Sequence, residues 1–433
     1  MEKLPDITVK YINEVHSQIV ARKEIIYALK DAYSFFADGY KFHPLFKQGR
    51  WNGKISMIDA KGIFYSGLLK DVLKHCKEKG LSIKIGDISK YKNSEISDSE
   101  VEKLASYSNI KPYDYQLASI KASLTRRKML CLSPTSSGKS LISYMLYRYC
   151  VDNNIKMLIT VPSVMLVEQL YSDFESYVAD DHRVEDYVDK ICDGQNKDSK
   201  KQVIISTWQT AINMDKEWLH DFGFYICDEA HQASGKSISS IIDNLVNCRY
   251  RIGLTGTLNG AEMHELEMQA RFGDVFKMVT TRELIDRGIV SDIKINAIKL
   301  TRDKATIDHF HGLTKNDYQR EIDYLVNSPE RNDYLTNLAL TLPTNTLMLF
   351  NYIDAHGMKL LDIMNSQSVR FKKKVFYISG SVKKNDRNII KKAMDSDLPI
   401  FYELTFDNGS TAIIDAEDLD VNNLTKYLHD RIN

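Results

Sequence analysis

The chain has 433 residues, 43% hydrophobic and 27% charged, a balance that supports two or three globular domains and excludes collagen-like, mucin-like and wholly disordered classes. Lys plus Arg and Asp plus Glu both number 58, so the whole-chain charge neither favours nor excludes a polyanionic partner and only local clusters are informative. The six cysteines form no C-x-x-C pair, which points to reduced thiols, and no run approaches the ~18 uninterrupted apolar residues of a membrane span, so a cytoplasmic protein without a membrane anchor is expected.

Two short alternating runs, Ile7 to Ile12 and Val15 to Val20, read as strands, and the period then turns helical with Ile25, Ile26, Leu29 and Tyr33. A second helical stripe, Leu68, Leu69, Val72, Leu73 and Cys76, covers residues 67–79, and the strand Leu81 to Ile85 closes a small α+β domain over 1–88. Between the helices, residues 35–54 interleave aromatics with Lys41, Lys47, Arg50 and Lys54 against a single acid, Asp38. Cations that neutralise phosphates beside rings that stack on bases suit a nucleic-acid contact, with Lys47, Arg50, Trp51 and Lys54 as its candidates. The same aromatics also suit a small core with the basic residues on its wet side, and both readings can hold for different residues.

Residues 89–110 are polar and read as a linker, in which Ser97-Asp98-Ser99-Glu100 fits a capping box for one short helix. Next come the apolar run Met129 to Leu132, the small-residue turn Ser133-Pro134-Thr135-Ser136-Ser137-Gly138-Lys139-Ser140, and a helical pattern through Leu141, Ile142, Met145 and Leu146. Strand, turn and helix in that order offer backbone N–H groups and a positive helix end to phosphates. In this reading Thr135, Ser136, Ser137 and Gly138 cradle ATP, Lys139 sits on its β- and γ-phosphates, and Ser140 holds Mg²⁺. Ser133 stands where the usual motif has glycine.

Four further apolar strands each end in a polar cluster. Met157 to Val161 leads to Pro162-Ser163, Val203 to Ile205 to Ser206-Thr207-Trp208-Gln209, Phe222 to Cys227 to Asp228-Glu229-Ala230-His231, and Tyr250 to Leu254 to Thr255-Gly256-Thr257. In a doubly wound sheet all such ends open on one edge. There Asp228 would orient Mg²⁺ through its water shell, and Glu229 would align or deprotonate the water attacking the γ-phosphate, with His231 in the same cluster.

The ordered segments SPTSSGKS, VPSVMLVEQ, STWQT, DEAH and GLTGT resemble the superfamily 2 helicases and translocases of the DEAH/DExH kind, over residues 111 to about 380. The resemblance implies an α/β fold of RecA-like doubly wound parallel sheets, with motor domain 1 complete over 111–287 and motor domain 2 partial over 288–394. It also implies that Gln116 reads the adenine edge with Tyr113 or Tyr115 bracing the base, and that Ser163, Gln169, Thr207 and Gln209 touch the nucleic-acid backbone. Thr255 and Thr257 match the segment that links hydrolysis to strand movement. The aromatic-basic domain before the motor, with STWQT and GKSISSII, looks like the UvsW recombination helicases of T-even-type phages, and GKSISSII is equally a plain helix start. That family implies ATP- and Mg²⁺-dependent remodelling of branched DNA: displacement loops, RNA–DNA loops, replication forks and Holliday junctions.

In the second motor domain Val290 to Leu300 reads as a strand, helices are expected near 314–326 and 329–341, and Leu347 to Phe350 reads as a core strand. A helix through Ile353, Leu360, Leu361 and Ile363 and a strand Lys374 to Ile378 follow. The family pattern then requires a Gln-x-x-Gly-Arg-x-x-Arg segment whose arginines reach the γ-phosphate, and residues 395–433 contain none. They read instead as a divergent tail: a hairpin about Asp407-Asn408-Gly409, an acidic run with Asp415, Glu417, Asp418 and Asp420, and a helix near 422–431. Three explanations stay open: a fragment of an interrupted gene whose motor a second polypeptide completes, a truncated derivative with an unrelated tail, or a module that binds ATP and DNA without unwinding.

Overall fold

The computed structural model describes residues 4–292 apart from 38, 193–198, 233–234 and 259–261, then 294–301, 318–371 and 373–379, isolated positions between 304 and 394, and the backbone of 401–405 and 411–415. They form two compact units, Met1–Lys294 and Ile295–Asn433.

The first unit begins with the alternating runs seen in the sequence. Strands β1 (Ile7–Tyr11) and β2 (His16–Ala21) form an antiparallel pair in the register Ile7↔Ala21. This puts Ile7, Val9 and Ile19 on the buried face. Helix α1 (Lys23–Ala32) follows, and then the aromatic-basic stretch makes an excursion in which β3 (Ser34–Phe36), the short helix α2 (Pro44–Lys47) and β4 (Lys54–Ser56) close on themselves. Strand β5 (Ile63–Tyr65), helix α3 (Leu69–Glu78) and β6 (Ile83–Ile85) complete a four-stranded sheet in the order β5-β2-β1-β6. The stripe Leu68, Leu69, Val72 and Cys76 is buried against it, as its helical spacing requires.

The polar stretch read as a linker contains helix α4 (Asp98–Ser106), capped as its sequence predicts: Glu100 N–H donates to Ser97 Oγ at 3.2 Å and Ser97 N–H to Glu100 Oε2 at 2.8 Å. Its Leu104 is buried in the core formed with helices α5 (Asp114–Arg126) and α6 (Lys139–Asp152).

That core lies on one face of a sheet made of β7 (Lys128–Leu132), β8 (Met157–Val161), β9 (Val188–Ile191), β10 (Val203–Thr207), β11 (Phe224–Cys227), β12 (Tyr250–Thr255) and β13 (Val275–Lys277). The order is β13-β7-β12-β11-β8-β10-β9 and every pairing is parallel. Met129, Cys131, Ile159, Ile205 and Ile226 pack under α5, α6 and α7 (Val164–Tyr177). Their neighbours Leu130, Leu158, Ile204, Tyr225 and Cys227 pack on the opposite face under α9 (Trp208–Ile212), α11 (Gly235–Ile242) and α12 (Glu262–Phe272), the short helices α8 (Val184–Tyr187) and α10 (Lys216–His220) falling between α7 and α11 in the chain. Burial on both faces explains why these strands read as unbroken apolar runs. The fold is the doubly wound α/β sheet preceded by a small α+β domain.

One side chain fastens the small domain to this sheet. Arg251 of β12 is fully buried, and its guanidinium donates to the carbonyl oxygens of Glu14 (2.8 Å), Cys248 (3.1 Å) and Arg271 (3.1 Å). Glu14 N–H donates to Val246 O at 3.1 Å, and the Tyr65 hydroxyl to Asp243 Oδ1 at 2.8 Å. Gly67 lies so close to α12 that a Cβ there would meet the carbonyl oxygens of Gln269 and Ala270 at 2.4 Å.

In the second unit, helices Tyr318–Asn327 and Pro329–Thr341 fall where their periodicity predicts, and Met358–Phe371 continues a single π-turn, Ile353–Gly357. His356 Nε2 meets Asn332 Oδ1 at 3.1 Å in their shared core. Three expected strands are corrected: 290–300, 347–350 and 374–378 form no strand among the described residues. They have strand composition but no ladder partner, and an unpaired strand is not stable; Leu347 is 78% and Leu349 83% exposed. The hairpin is present as the antiparallel pair Phe401–Thr405 and Thr411–Asp415. Its turn and the helix expected near 422–431 lie outside the described residues.

Arg251→Ala strands three buried carbonyl groups and opens a cavity, so it is expected to cost on the order of 3 kcal/mol or more. A urea unfolding curve of the full chain checks this: the midpoint falls, and an unchanged midpoint would contradict the anchoring role.

Candidate active site

The turn from β7 to α6 sits beside the end of β12, with β11 next in the sheet. Ser136 (φ 65°) and Gly138 (φ 81°) are both left-handed, giving the backbone from which anion-binding concavities are built. The left-handed backbone favours glycine at 138, and a Cβ there would lie 2.1 Å from Gln116 Nε2 and displace that side chain. Gln116 is itself buried, donating from Nε2 to Ser137 O at 2.9 Å and accepting Tyr113 N–H on Oε1 at 2.8 Å. Ser133 accounts for its own presence: its buried hydroxyl bonds to that of Ser137, which donates in turn to Pro134 O at 2.7 Å. Ser133 N–H also donates to Thr255 O at 2.8 Å, fastening the turn to the end of β12. Thr135 lies on the exposed part of the turn.

Lys139, the first residue of α6, places Nζ 2.8 Å from Glu229 Oε1. Glu229 follows β11 in a left-handed conformation (φ 46°), a strained choice for a glutamate. Its other oxygen lies 3.4 Å from His231 Nδ1, which bonds to the Thr255 hydroxyl at 2.8 Å. Because that hydroxyl donates to Thr257 O at 2.8 Å, Nδ1 is the donor to Thr255. The predicted residues Lys139, Glu229, His231, Thr255 and Thr257 therefore form one connected set.

Asp228 is half-buried as a residue, yet its Oδ1 is sealed from solvent and has no hydrogen-bond partner. Burial pushes its carboxyl up to about 6, against the pull of the Lys139 ammonium and with a further push from Glu229. Such an orphaned oxygen fits a hydrated divalent cation. The described residues contain no cluster of three or more His, Cys, Asp or Glu able to hold a metal by themselves, so Ser140 and Asp228 could hold Mg²⁺ only with phosphate oxygens completing its shell. The Ser140 hydroxyl is bonded here to the Tyr177 hydroxyl at 2.8 Å.

Further along the same sheet edge, Ser163 caps α7 by accepting Leu166 N–H at 3.4 Å, and Thr207 caps α9 by accepting Thr210 N–H at 3.3 Å. Gln169 and Gln209 are exposed on those helices. Lys47, Arg50, Trp51 and Lys54 belong to the β3–β4 excursion. Lys54 is committed to Asp31 (2.9 Å) and Trp51 Nε1 donates to Lys54 O (2.9 Å), whereas Lys47 and Arg50 are exposed and make no ion pair with a described carboxylate. Sequence reading missed Tyr177. It also missed Arg287, which pairs with Asp114 at 2.5 Å and lies 5.5 Å from the Tyr115 ring, itself stacked on Tyr113. Neither belongs to a local motif, since each partner comes from a distant segment.

Residues 109–260 match the family described as type III restriction enzyme, res subunit, and residues 6–86 match the N-terminal family of the DNA helicase UvsW. The ATP-dependent DNA helicase uvsW of Enterobacteria phage T4 is 34% identical over 423 residues, 94% of this chain and 82% of the relative. The DNA 3′-5′ translocase XPB2 of Sulfurisphaera tokodaii is 26% identical over 207 residues, 46% of this chain and 44% of the relative. Two crystal structures of T4 UvsW are similar. One has a TM-score of 0.57 at 35% identity, covering 63% of this chain and 99% of that one; the other has 0.58 at 33%, covering 90% and 78%. Matched along nearly its whole length and in both N-terminal and motor segments, the chain belongs to the UvsW family of ATP-dependent DNA helicases.

Proposed function

We propose that the protein uses ATP hydrolysis at the β7, β11 and β12 strand ends to remodel branched DNA, namely displacement loops, RNA–DNA loops, forks and Holliday junctions, in the cytoplasm of an infected host cell. The observation that carries this reading is the connected set Lys139, Glu229, His231 and Thr255, which joins a phosphate-binding turn to an acid pair and to the neighbouring strand end. When bound, a magnesium nucleotide supplies the anhydride that is cleaved and the metal charge that offsets its phosphate oxygens. Lys139, drawn to phosphate, gives up Glu229, whose freed carboxylate then orients the attacking water and takes its proton. His231 and Thr255 share the hydrogen bond through which a change at Glu229 reaches Thr257, and the capped ends of α7 and α9 offer N–H groups to a DNA backbone. Gln116 and the stacked Tyr113 and Tyr115 take the adenine.

A second reading has this chain bind ATP and DNA while a second polypeptide completes the motor. It is favoured by Leu347 and Leu349, apolar and exposed in a strand-like run that pairs with no described strand. An ATPase assay of the chain alone, with and without branched DNA, separates the two: DNA-stimulated turnover supports the first reading, and nucleotide binding without turnover supports the second.

Lys139→Ala and Glu229→Gln are each expected to lower DNA-stimulated hydrolysis by about a hundredfold or more while leaving DNA affinity intact, and full turnover in either would refute the site. Replacing both Lys47 and Arg50 by Ala should weaken DNA binding and flatten its salt slope by roughly 0.9 per lost duplex phosphate contact; an unaltered slope returns that excursion to packing alone. For Asp228, the folded chain holds a proton between the ordinary carboxylate value and about 6 that the unfolded chain has released. Stability from this group is therefore present at low pH and lost as pH rises through about 6. Asp228→Asn should abolish turnover yet raise Tm at neutral pH, and wild-type kcat/KM for ATP, which reports the nucleotide-free protein, should fall as pH drops below about 6. A lower Tm for the variant in calorimetry would contradict this assignment.

A further inference from the structure

The sheet has a second edge, and at its β7 end the small domain, the connector and the motor meet in a cleft. Its walls carry Lys70, Lys90, Lys92, Arg126, Arg127 and Lys128 against two carboxylates, Glu14 and Asp274. Both acids are already engaged, Asp274 with Lys70 and Glu14 with Lys128 at 3.6 Å. No described carboxylate forms an ion pair with the other four cations. Lys90 lies 5.5 Å from the Tyr11 ring, Arg126 lies 5.2 Å from the Phe276 ring, and Arg127 Nε donates to Ser94 Oγ at 2.8 Å. Lys92 is exposed, and its side chain is in no ion pair with a described carboxylate.

The cleft holds this charge under strain. Arg127 adopts a left-handed backbone (φ 66°) that few non-glycine residues occupy. Burial and Arg251 push the Lys128 ammonium down to about 7, and burial with Arg249 pushes the Arg127 guanidinium down as well. Four cleft cations without a described carboxylate partner are what an oxyanion would neutralise, and guanidinium beside ammonium is the pairing suited to phosphate oxygens. Backbone at Gly67 and Gly273 also forms part of the lining. The cleft is separate from the nucleotide turn: Lys128 is the first residue of β7, and the turn follows its last residue, Leu132.

We propose that this seam is a second phosphate-binding site, taking a backbone phosphate of the DNA on which the motor works. It deepens the DNA-remodelling reading and rests on it. It would fix the duplex to the rigid joint between small domain and sheet, on the side away from ATP. The test uses the full chain and the Lys90→Ala/Lys92→Ala double variant, with Lys92→Ala alone as the milder form. DNA affinity is measured across salt concentrations, and thermal unfolding is followed with and without inorganic phosphate. The expected result is a salt slope lowered by roughly 0.9 per lost contact, with wild-type Tm raised by phosphate more than that of the variant and equal Tm values in phosphate-free buffer. An unchanged slope together with a lost phosphate shift keeps the site but assigns it to free phosphate. Unchanged slope and unchanged shift overturn it. If wild type itself binds no DNA, the DNA reading fails, while the phosphate arm still decides the seam.

Discussion

An ammonium and a carboxylate 2.8 Å apart, Lys139 and Glu229, hold the centre of this molecule. They come from different strand ends and meet because β7 and β11 flank β12 in a parallel sheet whose C-terminal ends share one edge. Every other feature of the site follows from keeping those ends in register. Gln116 braces the turn from below, Ser133 ties it to Thr255, and His231 ties the acid pair to the same threonine. Because each tie is a hydrogen bond between segments that one ligand would touch together, a change at the phosphates cannot be confined to Lys139. That is the property a motor needs.

The opposite edge of the sheet is built for a different task. Arg251 lies at the start of the strand that ends in Thr255, and it fixes the first hairpin of the small domain through the Glu14 carbonyl. A fully buried guanidinium is costly unless its donors are met, and here Nε and Nη1 reach three carbonyl oxygens while Nη2 has none. One strand thus carries the small-domain anchor at one end and Thr255, the partner of His231, at the other.

Much of this was legible in the sequence, for a physical reason. Strands buried on both faces must be apolar throughout, and the polar residues that terminate them mark the functional edge; SPTSSGKS, STWQT, DEAH and GLTGT stand out against Val, Ile and Leu. The capping box at Ser97 and the stripe ending in Cys76 were equally local signals. What was not legible is pairing at a distance: Arg251 with Glu14, Ser140 with Tyr177, Arg287 with Asp114. The edge strands β9 and β13 were missed because they are short and mixed in composition. Conversely, Leu347 to Phe350 has the composition of a core strand, but composition alone does not supply the neighbour against which a strand forms.

If the Lys139–Glu229 centre drives strand movement, displacement of a DNA strand must require hydrolysis of ATP and not its binding alone. The most direct measurement is release of the invading strand from a synthetic displacement loop by the full chain, with ATP and with a non-hydrolysable analogue. Release with ATP alone is predicted. Equal release with both nucleotides, or none with either, would contradict the account.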